Sequence, residues 1–175
     1  AASLTQYDLY IEENISVPLP PGYTALSPQL PGKLLVTSFQ GMPIFAKNGV
    51  FMADVGSGPA GPTEELPGSG QINWPNCITV VNSSTFGFTA IAVGNGFLVP
   101  SHTTGGVYVM EASPEPTKLK APVKITKDQS EKLPDSGWFY HQAHFVDMDG
   151  DGLDDVVTAR CQYSVWPWAK KRGEL

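Results

Sequence analysis

"KLLVTSF" at residues 33–39 recurs in outline as "GFLVPSH" at 96–102 and as "DVVTARC" at 155–161. Each is an apolar run of similar length that ends in a small or polar residue, and the three start about 60 residues apart. Similarity at a fixed period is the mark of a repeated structural unit. The neighbours of these runs repeat as well. "GVFMADV" (49–55) follows the first and "GVYVMEA" (106–112) follows the second. A further strand-like run comes next in each case, "CITVVN" (77–82) and "PVKITKD" (122–128), after the Pro-rich stretches "GPAGPTEELPGSG" and "SPEPTKLKA". "FGFTAIAV" (86–93) and "WFYHQAHFV" (138–146) each precede the next member of the first set.

The order is four strands, a turn, and four strands again. Residues 86–93, 96–101, 106–112 and 121–127 make one complete unit, within about 86–128. A leading incomplete unit covers about 23–83, with strands at 33–39, 49–55 and 77–82 and its first strand not evident. A trailing incomplete unit covers about 138–175, with strands at 139–146 and 155–161 and the start of a third in "GEL". Helical periodicity is nearly absent; "DQSEKL" (128–133) is the stretch that fits a helical turn. The fold class is therefore all-β, and four-stranded antiparallel meanders in series predict blades of a β-propeller, about two and a half of them. A blade is covered on both faces, which accounts for continuous apolar runs such as "AIAV" in place of strict alternation. A β-sandwich or another all-β fold is the alternative.

Composition bounds the rest. The chain has 175 residues, enough for one sizeable core, with 41% hydrophobic and 16% charged residues. Eighteen glycines and sixteen prolines suit many turns between short strands. A net charge of -6, with "KKR" at 170–172 as the lone basic cluster, argues against nucleic acid as a partner. No apolar run approaches the roughly 20 residues that span a bilayer. The opening "AASLTQYDLY" resembles a mature terminus left by a removed signal peptide. Sequons at Asn14 and Asn82 point the same way, to a secreted, glycosylated protein. Cys77 and Cys161 fall on strands of different units, so they are not expected to pair with each other.

"FVDMDGDGLDD" (145–155) places five aspartates in eleven residues directly after an apolar strand. Carboxylates so close repel one another unless a cation sits among them. Calcium takes six to eight oxygens at 2.3–2.6 Å, and alternate aspartates on a tight glycine-containing loop converge on one point. An EF-hand would need a bidentate Glu at position twelve of the loop, where Thr158 stands. The stretch "FVDMDGDGLDDVVTA" resembles the FG-GAP or VCBS repeat, the blade unit of integrin-α-like propellers. That resemblance implies a calcium loop between the first and second strands of a blade. Its ligands would be Asp147, Asp149, Asp151 and Asp155, with the Leu153 main-chain oxygen. The turn taken as equivalent in the middle unit, "VGNG" (93–96), has no acid.

Other candidates carry less. His102, His141 and His144 suit packing or surface hydrogen bonding, and nothing orients His144 toward Cys161 as a base toward a nucleophile. Tyr163, Trp166 and Trp168 in "YSVWPW" are candidate ligand contacts, since exposed aromatics stack on sugar rings and flat molecules. Trp74 and Trp138 stand at loop-to-strand entries, where packing accounts for them. No nucleophile elbow, metal-binding helix or phosphate loop is present. The expected function is a secreted, calcium-stabilised propeller that acts as a binding scaffold for a glycan, a protein or a small hydrophobic molecule. The alternatives are a propeller-class enzyme, such as a sugar-modifying lyase or hydrolase, and a purely structural subunit. Two and a half blades do not close a propeller. A second polypeptide or a continuation of the chain is expected to complete it, across an interface well above about 2,000 Å².

Overall fold

The structure is a computed structural model, and it describes residues 22–26, 30–38, 48–56, 61–81, 83–96, 105–126, 138–162 and 172–174. These residues are all-β apart from a 3-10 turn at Ser69–Gln71 and one helical turn, α1, at Ser83–Phe86. Strands β1 (Gly22–Leu26), β2 (Lys33–Ser38), β3 (Gly49–Asp54) and β4 (Glu64–Glu65) form the first sheet. Strands β5 (Pro75–Val81), β6 (Ala90–Asn95), β7 (Val107–Glu111) and β8 (Val123–Lys124) form the middle one. The third holds β9 (Trp138–Val146), β10 (Asp155–Gln162) and β11 (Arg172–Glu174). Within each sheet consecutive strands pair antiparallel, and none of the three sheets closes into a barrel among the described residues.

The middle sheet lies between the other two, and β6 shows why its sequence is apolar at every position. Side chains alternate along a strand. Ile91 and Val93 join Leu35, Val50 and Met52 of the first sheet in one buried cluster, together with Leu66 and Ile72. Ala90 and Ala92 join Trp138, Tyr140 and Ala143 of β9 in a second cluster, with Val81, Val107 and Val109. Each large side chain wholly removed from water in these clusters contributes about 1.5–3 kcal/mol. The two faces differ in size for a reason. A Cβ placed on Gly94, the next residue on the alanine face, would lie 2.5 Å from the Tyr140 main-chain oxygen. Small residues at 90, 92 and 94 thus let β9 come close, and the aromatic rings of Trp138 and Tyr140 fill the space beside them.

Buried polar groups tie the layers. Thr37 Oγ1 donates to the Asn76 main-chain oxygen at 2.7 Å, from β2 to β5. Ser69 Oγ accepts from Val50 N at 2.9 Å and so fastens the 3-10 turn to β3. Asn95 Oδ1 accepts from Gly106 N at 2.5 Å while its Nδ2 donates to Asn73 O at 3.1 Å. Burying such groups without partners would cost stability, and these bonds remove that cost.

The strand order corrects the sequence reading at the boundary between the first two units. "CITVVN" does not end the leading sheet. It pairs with β6 through Ile78↔Val93, Thr79↔Ala92, Val80↔Ile91 and Val81↔Ala90, which makes β5 the first strand of the middle sheet. The leading sheet is completed by the two-residue β4 and opened by β1, which hydrogen-bonds β2 from Gly22↔Ser38 to Leu26↔Leu34. The run 86–93, expected as one strand, divides into the end of α1, a turn with Gly87 at φ +73, and β6. The strand expected at 96–101 falls mostly outside the described residues. The third strand expected from "GEL" is present as β11, paired with β10 from Arg160↔Glu174 to Gln162↔Arg172.

Candidate functional site

The acidic loop, 147–154, joins β9 to β10, the first and second strands of the third sheet. Because β5 opens the middle sheet, the counterparts of this loop lie elsewhere than the apolar repeat suggests. In the middle sheet the equivalent connection is 82–89, not "VGNG", and in the first sheet it is 27–32; neither stretch contains an acid.

The loop is shaped by its own aspartates. Gly150 N donates to Asp147 Oδ1 at 2.7 Å and Gly152 N donates to Asp147 Oδ2 at 2.9 Å. Asp151 N donates to Asp149 Oδ1 at 3.2 Å, and Leu153 N donates to Asp151 Oδ1 at 2.8 Å. Met148 N donates to Asp155 Oδ2 at 3.1 Å, which ties the head of the loop to its tail. Gly150 and Gly152 sit at φ +78 and +87, the left-handed region that a Cβ disfavours. The consequence is convergence: Asp147, Asp149 and Asp151 each offer a carboxylate oxygen, all within 4.8 Å of one another, and all three residues are exposed. Oxygens bound to one ion at about 2.4 Å can be at most about 4.8 Å apart, so the three lie close enough to share a metal ion. Each oxygen already bonded to an amide keeps a further lone pair. Asp155 stands outside this group of three and acts as the clasp on Met148.

Asp154, which the sequence reading passed over, is the loop's link to the rest of the fold. Its carboxylate accepts a hydrogen bond from the Thr85 hydroxyl on α1, so the equivalent connections of adjacent sheets touch. An open groove of about 460 Å³ lies along this contact, with Phe86 and Phe145 in its wall. Nothing in sequence spacing links residue 85 to residue 154; only the packing of β9 on β5 and β6 brings them together.

The remaining candidates separate. Cys161 lies opposite Phe139 and His144 opposite Val157, four residues apart along the ladder, so they form no pair. The cysteine that meets a histidine is Cys77, whose Sγ lies 3.8 Å from His141 Nδ1. Both thiols are free, and burial pushes the pKa of each up, which keeps them protonated and weakly nucleophilic. Trp74 and Trp138 are buried, as their entry positions suggested, and the Arg160 guanidinium sits 4.4 Å from the Trp138 ring centroid. Asn14, Asn82, His102, Tyr163, Trp166 and Trp168 lie outside the described residues. No helix among the described residues is long and apolar enough to cross a membrane.

No family model, no curated protein and no solved structure matches the chain.

Proposed function

We propose that this chain is part of a secreted, calcium-stabilised β-propeller of the FG-GAP or VCBS kind that serves as a binding scaffold. The observation that carries the reading is the convergence of Asp147, Asp149 and Asp151 on a loop between the first two strands of the third sheet, β9 and β10. These three would hold the ion, with Asp155 and the Leu153 main-chain oxygen as further ligands. Calcium would supply charge neutralisation: it turns a self-repelling hairpin into a fixed one.

A larger assembly is supported by the state of the third sheet. In β3 every residue but the last is buried, and in β6 every residue is. The central strand β10 carries a comparable apolar run, yet none of its residues from Asp155 to Cys161 is buried. Val146 of β9, which follows Phe145 and so faces away from the middle sheet, is 42% exposed. A further sheet, from a second polypeptide or from more of the same chain, would complete the series. Nucleic acid is no part of this reading, because the chain is acidic.

Isothermal titration of metal-stripped protein with calcium tests the proposal. One ion per chain is expected, with Asp149→Asn and Asp151→Asn each weakening it at least tenfold. Saturating heat without a change in either variant, or no heat at all, overturns it.

A further inference from the structure

The groove beside the acidic loop has the composition of a ligand site. Its volume of about 460 Å³ lies within the range of small-molecule clefts. Its walls come from two sheets: Phe86 on α1 and Ile125 after β8 on one side, Phe145 and Val156 of the third sheet on the other, and Leu153 from the loop. Ile125 is 37% exposed and Leu153 71% exposed, both large apolar side chains that face water at the rim. Phe86 and Phe145 meet edge to face with ring centroids 5.7 Å apart, so the two walls are joined by a packed aromatic pair.

One end of this apolar groove is acidic. Asp154 lines it, with one carboxylate oxygen occupied by the Thr85 hydroxyl and the other lone pairs of the group available. Asp147, Asp149, Asp151 and Asp155 lie within seven residues of it along the chain. Five carboxylates stay net negative even with one divalent cation among them, so the potential at this end is attractive to a cation in either metal state.

We propose that the groove binds a small cationic amphiphile, a protonated amine with an aliphatic or aromatic body. The body lies against Phe86, Phe145 and Val156, and the ammonium pairs with Asp154. This deepens the binding-scaffold reading by naming a site and a ligand class, and it does not depend on calcium.

The test uses n-octylamine, protonated at neutral pH, against n-octanol and octanoate as neutral and anionic probes of equal chain length. Each is titrated calorimetrically into the native protein and into Asp154→Asn, Leu153→Ser and, as a remote control, Glu115→Gln. Octylammonium is expected to bind at one site per chain, about fivefold tighter than octanol, with octanoate weakest. Asp154→Asn removes the preference over octanol, Leu153→Ser weakens both, and Glu115→Gln changes neither. Equal binding of amine and alcohol, or an unchanged preference in Asp154→Asn, overturns the proposal. Calcium titration of the same Asp154→Asn protein separates the two readings. Calcium binding without amine preference in native protein defeats the groove alone, and amine preference without calcium binding defeats the metal loop alone.

Discussion

The Thr37 hydroxyl and the Asn76 main-chain oxygen, 2.7 Å apart and sealed from water, join the first sheet to the middle one. Replacement of Thr37 by valine keeps the volume and removes the donor. The Asn76 oxygen then stays buried without this partner, at a cost of about 1–3 kcal/mol. Chemical denaturation of Thr37→Val should show a lower midpoint with an unchanged slope.

Gly94 tests the close approach of β6 and β9. An alanine there puts its Cβ 2.5 Å from Tyr140 O and 2.8 Å from His141 O, both main-chain atoms that cannot swing aside. We expect Gly94→Ala to destabilise by about 1–3 kcal/mol through forced separation of the two sheets. Thermal unfolding measures the loss, and loss of near-ultraviolet ellipticity from Trp138 would locate it.

Calcium should stabilise the fold by mass action. At a free concentration 100 times its dissociation constant the gain is about 2.7 kcal/mol, seen as a Tm rise that chelator reverses. Gly152→Ala makes a sharper probe. Its Cβ would meet nothing within 4 Å, so the strain is that of φ +87 alone, about 1–2 kcal/mol. That strain should lower the metal-free Tm by roughly 2–8 °C.

Glu111 organises the turn after β7. Its carboxylate accepts from Thr117 N at 3.0 Å, Lys118 N at 2.8 Å and Leu119 N at 3.0 Å. The bond from Leu119 is the largest influence and holds its pKa below the usual range; burial opposes it, and the bonds from Lys118 and Thr117 add to the lowering. A depressed folded pKa stabilises above the unfolded value of about 4.3, and that contribution is lost as pH falls through the folded value. The protection of the Thr117–Leu119 amides, taken relative to the intrinsic exchange rate at each pH, should therefore fall as pH drops through the depressed folded value. In Glu111→Gln it should be low already at neutral pH.

The thiols give the opposite sign. Burial raises the pKa of Cys77 and Cys161, so their contribution is complete below the unfolded value of about 8.5 and is lost as pH rises through the folded ones. Iodoacetamide should alkylate both more slowly in native than in unfolded protein at mildly alkaline pH. Non-reducing peptide mapping should find no Cys77–Cys161 link.

Some features were legible without coordinates because they are local. The acidic loop declares itself through alternate aspartates and two glycines, and backbone geometry over eight residues turns that spacing into convergence. The apolar runs of β2, β3 and β6 likewise announce strands covered on both faces. Other features depend on partners distant in sequence. "CITVVN" has the same pattern whether it ends one sheet or begins the next, and only its ladder with β6 decides. The two-residue β4 is too short to carry a period, and β1, "GYTAL", has no apolar repeat to mark it. Asp154 is indistinguishable from its acidic neighbours until sheet packing sets Thr85 against it, and Cys77 meets His141 for the same reason. Spacing along the chain determines what a segment can form; which segment it meets is a property of the packed layers, where side-chain size at positions such as 90, 92 and 94 sets how near they come.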